Sequence, residues 1–164
     1  MSGQATIVVG VDGSDCSRDA LRFALEEAAR RGAAVRIVWA IPEIEYWPTS
    51  FGASPLLFRT LCAESEKSAR QMLDSIPERG GALADVPVDL RTVGGLPAEV
   101  LVSQAEDADL LVVGHRGRGA FRSAVLGSVG LHCLLHSPIP VTVVRPRTQP
   151  APTRAGRDSV PAPA

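Results

Sequence analysis

A chain of 164 residues with 45% hydrophobic content is long enough for one domain with a buried core. Its net charge of -1 and pI near 6.3 exclude a general nucleic-acid binder, which needs a broad basic face, so any arginine cluster must be local. No apolar run approaches the roughly 20 residues of a membrane span, and Met1-Ser2-Gly3-Gln4 has neither the charge nor the apolar core of a signal peptide, so the expected location is cytoplasmic.

In chain order, Ala5 to Val11 is a β-branched run that ends at Asp12-Gly13-Ser14, which predicts a first strand and its turn. Ser14 or Asp15 caps a helix in which Leu21, Leu25 and Ala28 repeat at helical spacing. Glu26 with Arg30, and Glu27 with Arg31, are expected as i, i+4 pairs on its wet side, and Gly32 stops it. Ala33 to Ala40 is a second strand, cut off by Pro42. Ile41 to Ser54 has no consistent period and gathers Tyr46, Trp47 and Phe51; it reads as a loop folded onto the next helix. Ser54-Pro55 opens that long helix, marked by Ala69, Met72, Leu73 and Ile76 and ended by Pro77 to Gly81.

Val86 to Val93 alternates apolar with polar residues, so one side of this third strand is less buried. After Gly94-Gly95, Pro97 opens a short helix carrying Val100, Leu101, Gln104 and Ala105. Leu110 to Val113 is a central strand, Val129 to His136 the last helix, and Val141 to Val144 the last strand. This alternation predicts an α/β fold: an open five-stranded parallel sheet with helices on both faces, whose ligands sit beyond the carboxyl ends of the strands. Residues 1–146 form the expected domain. The proline-rich tail, 147–164, holds too little apolar surface to offset ordering entropy and is expected to be disordered.

The central strand runs into GHRGRGAFRSAVLGSV, Gly114 to Val129. Gly114 and Gly117 can leave amides uncovered, and Gly127-Ser128 opens the next helix, so a second set of free N–H groups faces the same place. Arg116, Arg118 and Arg122 lie between them, and guanidinium beside bare amides suits a polyphosphate. No Gly-Lys-Ser/Thr supports a P-loop, and the glycine order is not the Rossmann fingerprint. Asp12, ending the first strand, can accept hydrogen bonds from ribose hydroxyls or serve only its own turn.

From Ile7-Val8-Val9-Gly10-Val11-Asp12-Gly13-Ser14, through the glycine spacing, to Pro140-Val141-Thr142-Val143-Val144, the chain resembles the universal stress protein family. The resemblance implies a Rossmann-like adenine nucleotide-binding fold with strand order 3-2-1-4-5. In ATP-binding members the roles map onto Asp12 and Gly114 for ribose, backbone at Val38 for adenine, and Gly117, Gly127 and Ser128 for phosphates. Gly10 and Val129 line the same cleft. The resemblance also implies ATP accompanied by Mg2+, a homodimer paired through Val141 to Val144, and a regulatory role acting through protein partners. A slow ATP hydrolase and a dimeric interaction module without nucleotide are the alternatives. The hydrolase has little support, since neither paired carboxylates nor a Walker-type lysine stand out.

Cys16, Cys62 and Cys133 are odd in number and widely spaced, which disfavours a disulfide framework or a zinc site. Cys16 reads as a half-buried residue of the first helix, Cys62 and Cys133 as core fillers. His115 is expected to be an exposed loop residue. His132 and His136 share an i, i+4 spacing but have no evident third metal ligand, and are read as helix-surface residues.

Overall fold

The structure, a computed structural model, describes residues 4–42, 55–117 and 126–146. The aromatic stretch from Tyr46 to Phe51, Ser54, Arg118, Arg122 and residues 147–164 lie outside these. Five strands, β1 (Thr6–Gly10), β2 (Ala34–Ile41), β3 (Val88–Gly94), β4 (Leu110–Gly114) and β5 (Val141–Val144), form one parallel sheet in the order β3-β2-β1-β4-β5. Four helices, α1 (Asp15–Arg31), α2 (Pro55–Asp74), α3 (Pro97–Gln104) and α4 (Ser128–His136), connect and cover it. None of the helices among the described residues is long and apolar enough to cross a membrane.

The near-continuous apolar strands have two faces to bury. Ile7 and Val9 of β1, with Leu110 and Val112 of β4, pack in a cluster with Leu21 and Leu25 of α1 and Met72 of α2. Val8, Leu111 and Val113 point the other way, into a cluster with Val100 and Leu101 of α3 and Cys133 of α4. Residues alternate between the clusters because successive side chains of a strand leave opposite faces.

Local chemistry fixes the helix ends. Ser14 is the N-cap of α1, its hydroxyl accepting the Ser17 N–H, and Gly32 closes the helix at φ 66° with its own N–H on the Ala28 carbonyl. Glu27 takes both Arg30 and Arg31, so Arg30 bonds one residue nearer than the expected Glu26 pair would place it. The sequence reading runs α2 too far: the helix ends at Asp74, and Ile76, although 1% exposed, follows it and leads into a 3-10 turn at Pro77–Gly80. It also begins β3 too early. The strand starts at Val88, because residues 81–85 continue in turns and Pro87, which has no N–H, contributes only a carbonyl to Val35. Along β3 the exposed Asp89 and Arg91 pair with each other at 2.8 Å, while Val88 and Leu90 turn inward.

A buried charge in the sheet escapes the sequence reading. Arg36, in the middle of β2, is 9% exposed, and its guanidinium reaches the end of α3, donating to the Gln104 carbonyl at 2.8 Å and to both Asp107 carboxylate oxygens at 2.6 and 3.2 Å. The Arg36 hydrogen bond holds the Asp107 carboxyl below its ordinary pKa, and Asp107 raises that of Arg36. A carboxyl depressed on folding contributes stability above its unfolded pKa of about 3.9 and loses it as pH falls through the folded value. Asp107→Asn is therefore expected to lower the melting temperature at neutral pH. Melts taken down through about pH 3 should show the gap to the parent closing; a gap independent of pH would mean that the pair contributes nothing.

Candidate functional site

β1 leads the chain to β2 on one side, and its neighbour β4 leads to β5 on the other, so the connections diverge between them and open a crevice beyond their carboxyl ends. The crevice there is a cavity of about 480 Å³, a size suited to a small-molecule ligand. All nine residues expected at a binding site line it: Gly10, Asp12, Val38, Gly114, Arg116, Gly117, Gly127, Ser128 and Val129. Its remaining walls include Ser17, Ala40, Pro97, Leu101, Leu126 and Gly130.

The glycines serve different purposes. A Cβ on Gly114 would lie 2.9 Å from the carbonyl carbon and oxygen of Cys16, so this glycine lets β4 meet the first turn of α1. A Cβ on Gly117 would lie 2.7 Å from Asp12 Oδ2, and one on Gly10 would lie 2.7 Å from Leu101 Cδ1. Gly127 has no such neighbour closer than 3.6 Å and sits at φ -68°, so neither space nor backbone demands glycine there.

Gly127 is the N-cap of α4 and supplies no side-chain cap. The first bond of the helical ladder runs from Leu131 N–H to the Gly127 carbonyl, so the N–H groups of Ser128, Val129 and Gly130 precede the ladder on residues that line the crevice. His115 pins both ends of the intervening loop: its N–H donates to Val144 at 2.8 Å and its carbonyl accepts from Gly127 at 3.0 Å. Held this way, His115 is half-buried, with Nε2 shielded and without a partner among the described residues, which corrects the exposed position expected of it. Arg116 also lines the crevice, and its Nε is buried with no acceptor among the described residues.

Asp12 serves its own turn and also lines the crevice. Oδ1 accepts from Ser14 N–H at 3.0 Å and Ser14 Oγ at 2.6 Å, fixing the turn, while Oδ2 faces Gly117. Ser17 was missed. Its buried hydroxyl donates to the Ser14 carbonyl at 2.9 Å and accepts the Asp12 N–H at 3.4 Å; the Ser14-x-x-Ser17 spacing was the available signal.

Ala40 was also missed, and here the sequence offers no signal. Alternate residues of β2 turn their backbone groups toward β1: Ala34 N–H donates to Ala5, and the Val38 carbonyl accepts from Val11 at 3.0 Å. Val38 therefore lines the crevice with its carbonyl already engaged. Ala40 has the same parity, but the pairing with β1 ends at Gly10 and Val38, so its N–H and C=O turn toward the crevice.

The other candidates stay outside the crevice. The rings of His132 and His136 lie 4.3 Å apart with their planes tilted by 41°, and no group of three metal-ligating side chains occurs among the described residues. Cys133 is fully buried and its thiol is pushed up to about 11 by burial. Cys62 is only half-buried and belongs to neither core cluster, because the first turns of α2 stand clear of the sheet; this corrects its reading as core.

A doubly wound α/β sheet with an open crevice at its switch point defines a Rossmann-like fold. Residues 5–145 match the family model described as "Universal stress protein family", and the chain belongs to that family. A universal stress protein of Mycobacterium tuberculosis strain H37Rv is 36% identical over 141 residues, covering 86% of this chain and 45% of its own length. The chain spans about half the length of the curated relatives it matches. Among solved structures, a universal stress protein in complex with cAMP is 31% identical with TM-score 0.63, covering 88% of this chain and 99% of that one. UspA from Lactobacillus plantarum, 22% identical with TM-score 0.64 and covering 88% and 100% of the two chains, is a likeness of fold alone.

The contrast between the glycines is testable in stability. Gly114→Ala forces a carbon into main-chain atoms and is expected to cost about 1–3 kcal/mol, whereas Gly127→Ala, with room for its methyl, should cost under about 1 kcal/mol. Urea unfolding of both variants measures this, and equal losses would contradict the packing role of Gly114.

Proposed function

We propose that this chain binds an adenine nucleotide, ATP with Mg2+, in the crevice and acts as a cytoplasmic regulatory protein whose interactions depend on the bound nucleotide. The observation that carries the reading is the convergence, in one cavity, of the first-turn amides of α4, the Arg116 guanidinium with its unengaged Nε, and the Asp12 carboxylate. Amides and guanidinium suit phosphates, and the carboxylate suits ribose hydroxyls. The Ala40 backbone edge offers a donor and an acceptor beside the apolar Leu101 and Pro97, which suits a purine. Mg2+ would be held mostly by phosphate oxygens and water, and it would supply charge neutralisation. One observation favours a different adenylate: the neighbour that is 31% identical was solved with cAMP.

Chromatography of the supernatant from denatured purified protein, followed by titration calorimetry with ATP-magnesium and with cAMP, separates these occupants. Recovery of intact ATP and tighter binding of ATP support the proposal, and preference for cAMP moves the reading to that ligand. Gly117→Glu places a carboxylate beside Asp12 Oδ2, where repulsion meets the crevice, and is expected to abolish ATP binding while the circular dichroism spectrum is retained. Unchanged ATP affinity in that variant would show that the loop does not hold the ligand.

The same reading includes a homodimer. All four residues of the edge strand β5 are only partly buried, and Leu131, Leu134 and Leu135 of α4 are 50%, 46% and 70% exposed. An unpaired β-branched edge beside exposed leucines favours a second copy of the chain. Light scattering should return twice the chain mass, and a monomer at high micromolar concentration would contradict this.

A further inference from the structure

We propose that Arg36 is a positioning residue for the base side of the crevice: by clamping the carboxyl end of α3, it holds Leu101 and Pro97 in place against Gly10 and Ala40. The inference rests on the adenylate reading of the crevice and adds a residue that does not touch the ligand. α3 has eight residues, too few to persist without tertiary support, and its N-cap, Leu96, makes no side-chain cap bond. What holds it polar end to sheet is the guanidinium on the Gln104 carbonyl and on Asp107, a cation at the negative end of the helix. The anchor itself is rigid. Arg36 sits mid-strand in β2, paired on both sides by Val8 of β1 and Asp89 of β3. A second strand joins through Gln104, whose Oε1 accepts from Arg91 of β3 at 3.2 Å.

The distance from this clamp to the crevice is one turn of helix. Leu101 lies three residues before Gln104, and its Cδ1 stands where a Cβ on Gly10 would come within 2.7 Å, so there is no slack between helix and strand. A displacement of about an ångström at α3 would alter the gap in which a purine lies against Ala40. The phosphate side has different supports, namely the end of β4, the His115 contacts and the start of α4. Arg36 should therefore govern affinity for the base while leaving affinity for phosphate nearly alone, a split that general destabilisation would not produce.

The test compares the parent with Arg36→Met, which keeps the apolar stem, and Arg36→Lys, which cannot reproduce the forked contact. Titrations use ATP-magnesium and inorganic tripolyphosphate-magnesium. Arg36→Met is expected to weaken ATP about tenfold and tripolyphosphate less than about twofold, with Arg36→Lys between parent and Met. Hydrogen exchange without ligand should show lost protection in α3 with β1 and β4 unchanged. Equal weakening of the two ligands, unaltered exchange in α3, or equal loss of protection across β1 and β4 would each overturn the proposal. If the parent binds neither ligand, the adenylate reading fails, and the exchange data still decide whether Arg36 clamps α3.

Discussion

The close approach of β4 to α1 is the constraint on which the crevice depends. Gly114 has no Cβ to keep it from the Cys16 carbonyl, so two turns separated by some hundred residues of sequence share one surface. On one side of that contact the Asp12 carboxylate is fixed by Ser14; on the other, Gly117 leaves space for it. The backbone bonds of His115 then bring the first turn of α4 over the same ground. Each step brings the main chain close to another group, which is why small residues collect here while the strands behind them are bulky.

The two sides of the crevice rest on different physics. Toward β5 it is dipolar, made of amides at a helix start and a shielded guanidinium. Toward β2 it is apolar, with Leu101 and Pro97 beside a strand edge left over when β1 stops short of β2. The dipolar side is tied down by backbone bonds, the apolar side by the packing of Val100 and Leu101 in the core together with the Arg36 contacts at the end of α3. A change in packing can therefore reach one side without the other.

Much of this was legible in the residues themselves. Apolar runs located the strands within two residues of their bounds, Ser14, Gly32 and Pro97 marked helix ends by known capping chemistry, and the glycine spacing pointed to the crevice. Strand order was not legible from periodicity, which carries no information about neighbours; it came from the family resemblance. Ala40 was invisible because a backbone edge has no letter of its own, and what exposes it is the unequal length of two strands. Arg36 interrupts an apolar strand and reads as an irregularity until its partner, 71 residues away, is brought beside it by the fold. Leu101 was recognisable as a helix-face residue, but its place as a wall of the crevice depends on Gly10 opposite.

The two margins of the sheet are chemically unlike. β3 carries a charged pair, Asp89 with Arg91, across its solvent face, whereas β5 reads Val-Thr-Val-Val with no charge at all. Strand addition is discouraged on the first margin and invited on the second. In the homodimer proposed above, the uncharged border would be the one used, and the charged one would stay in solvent.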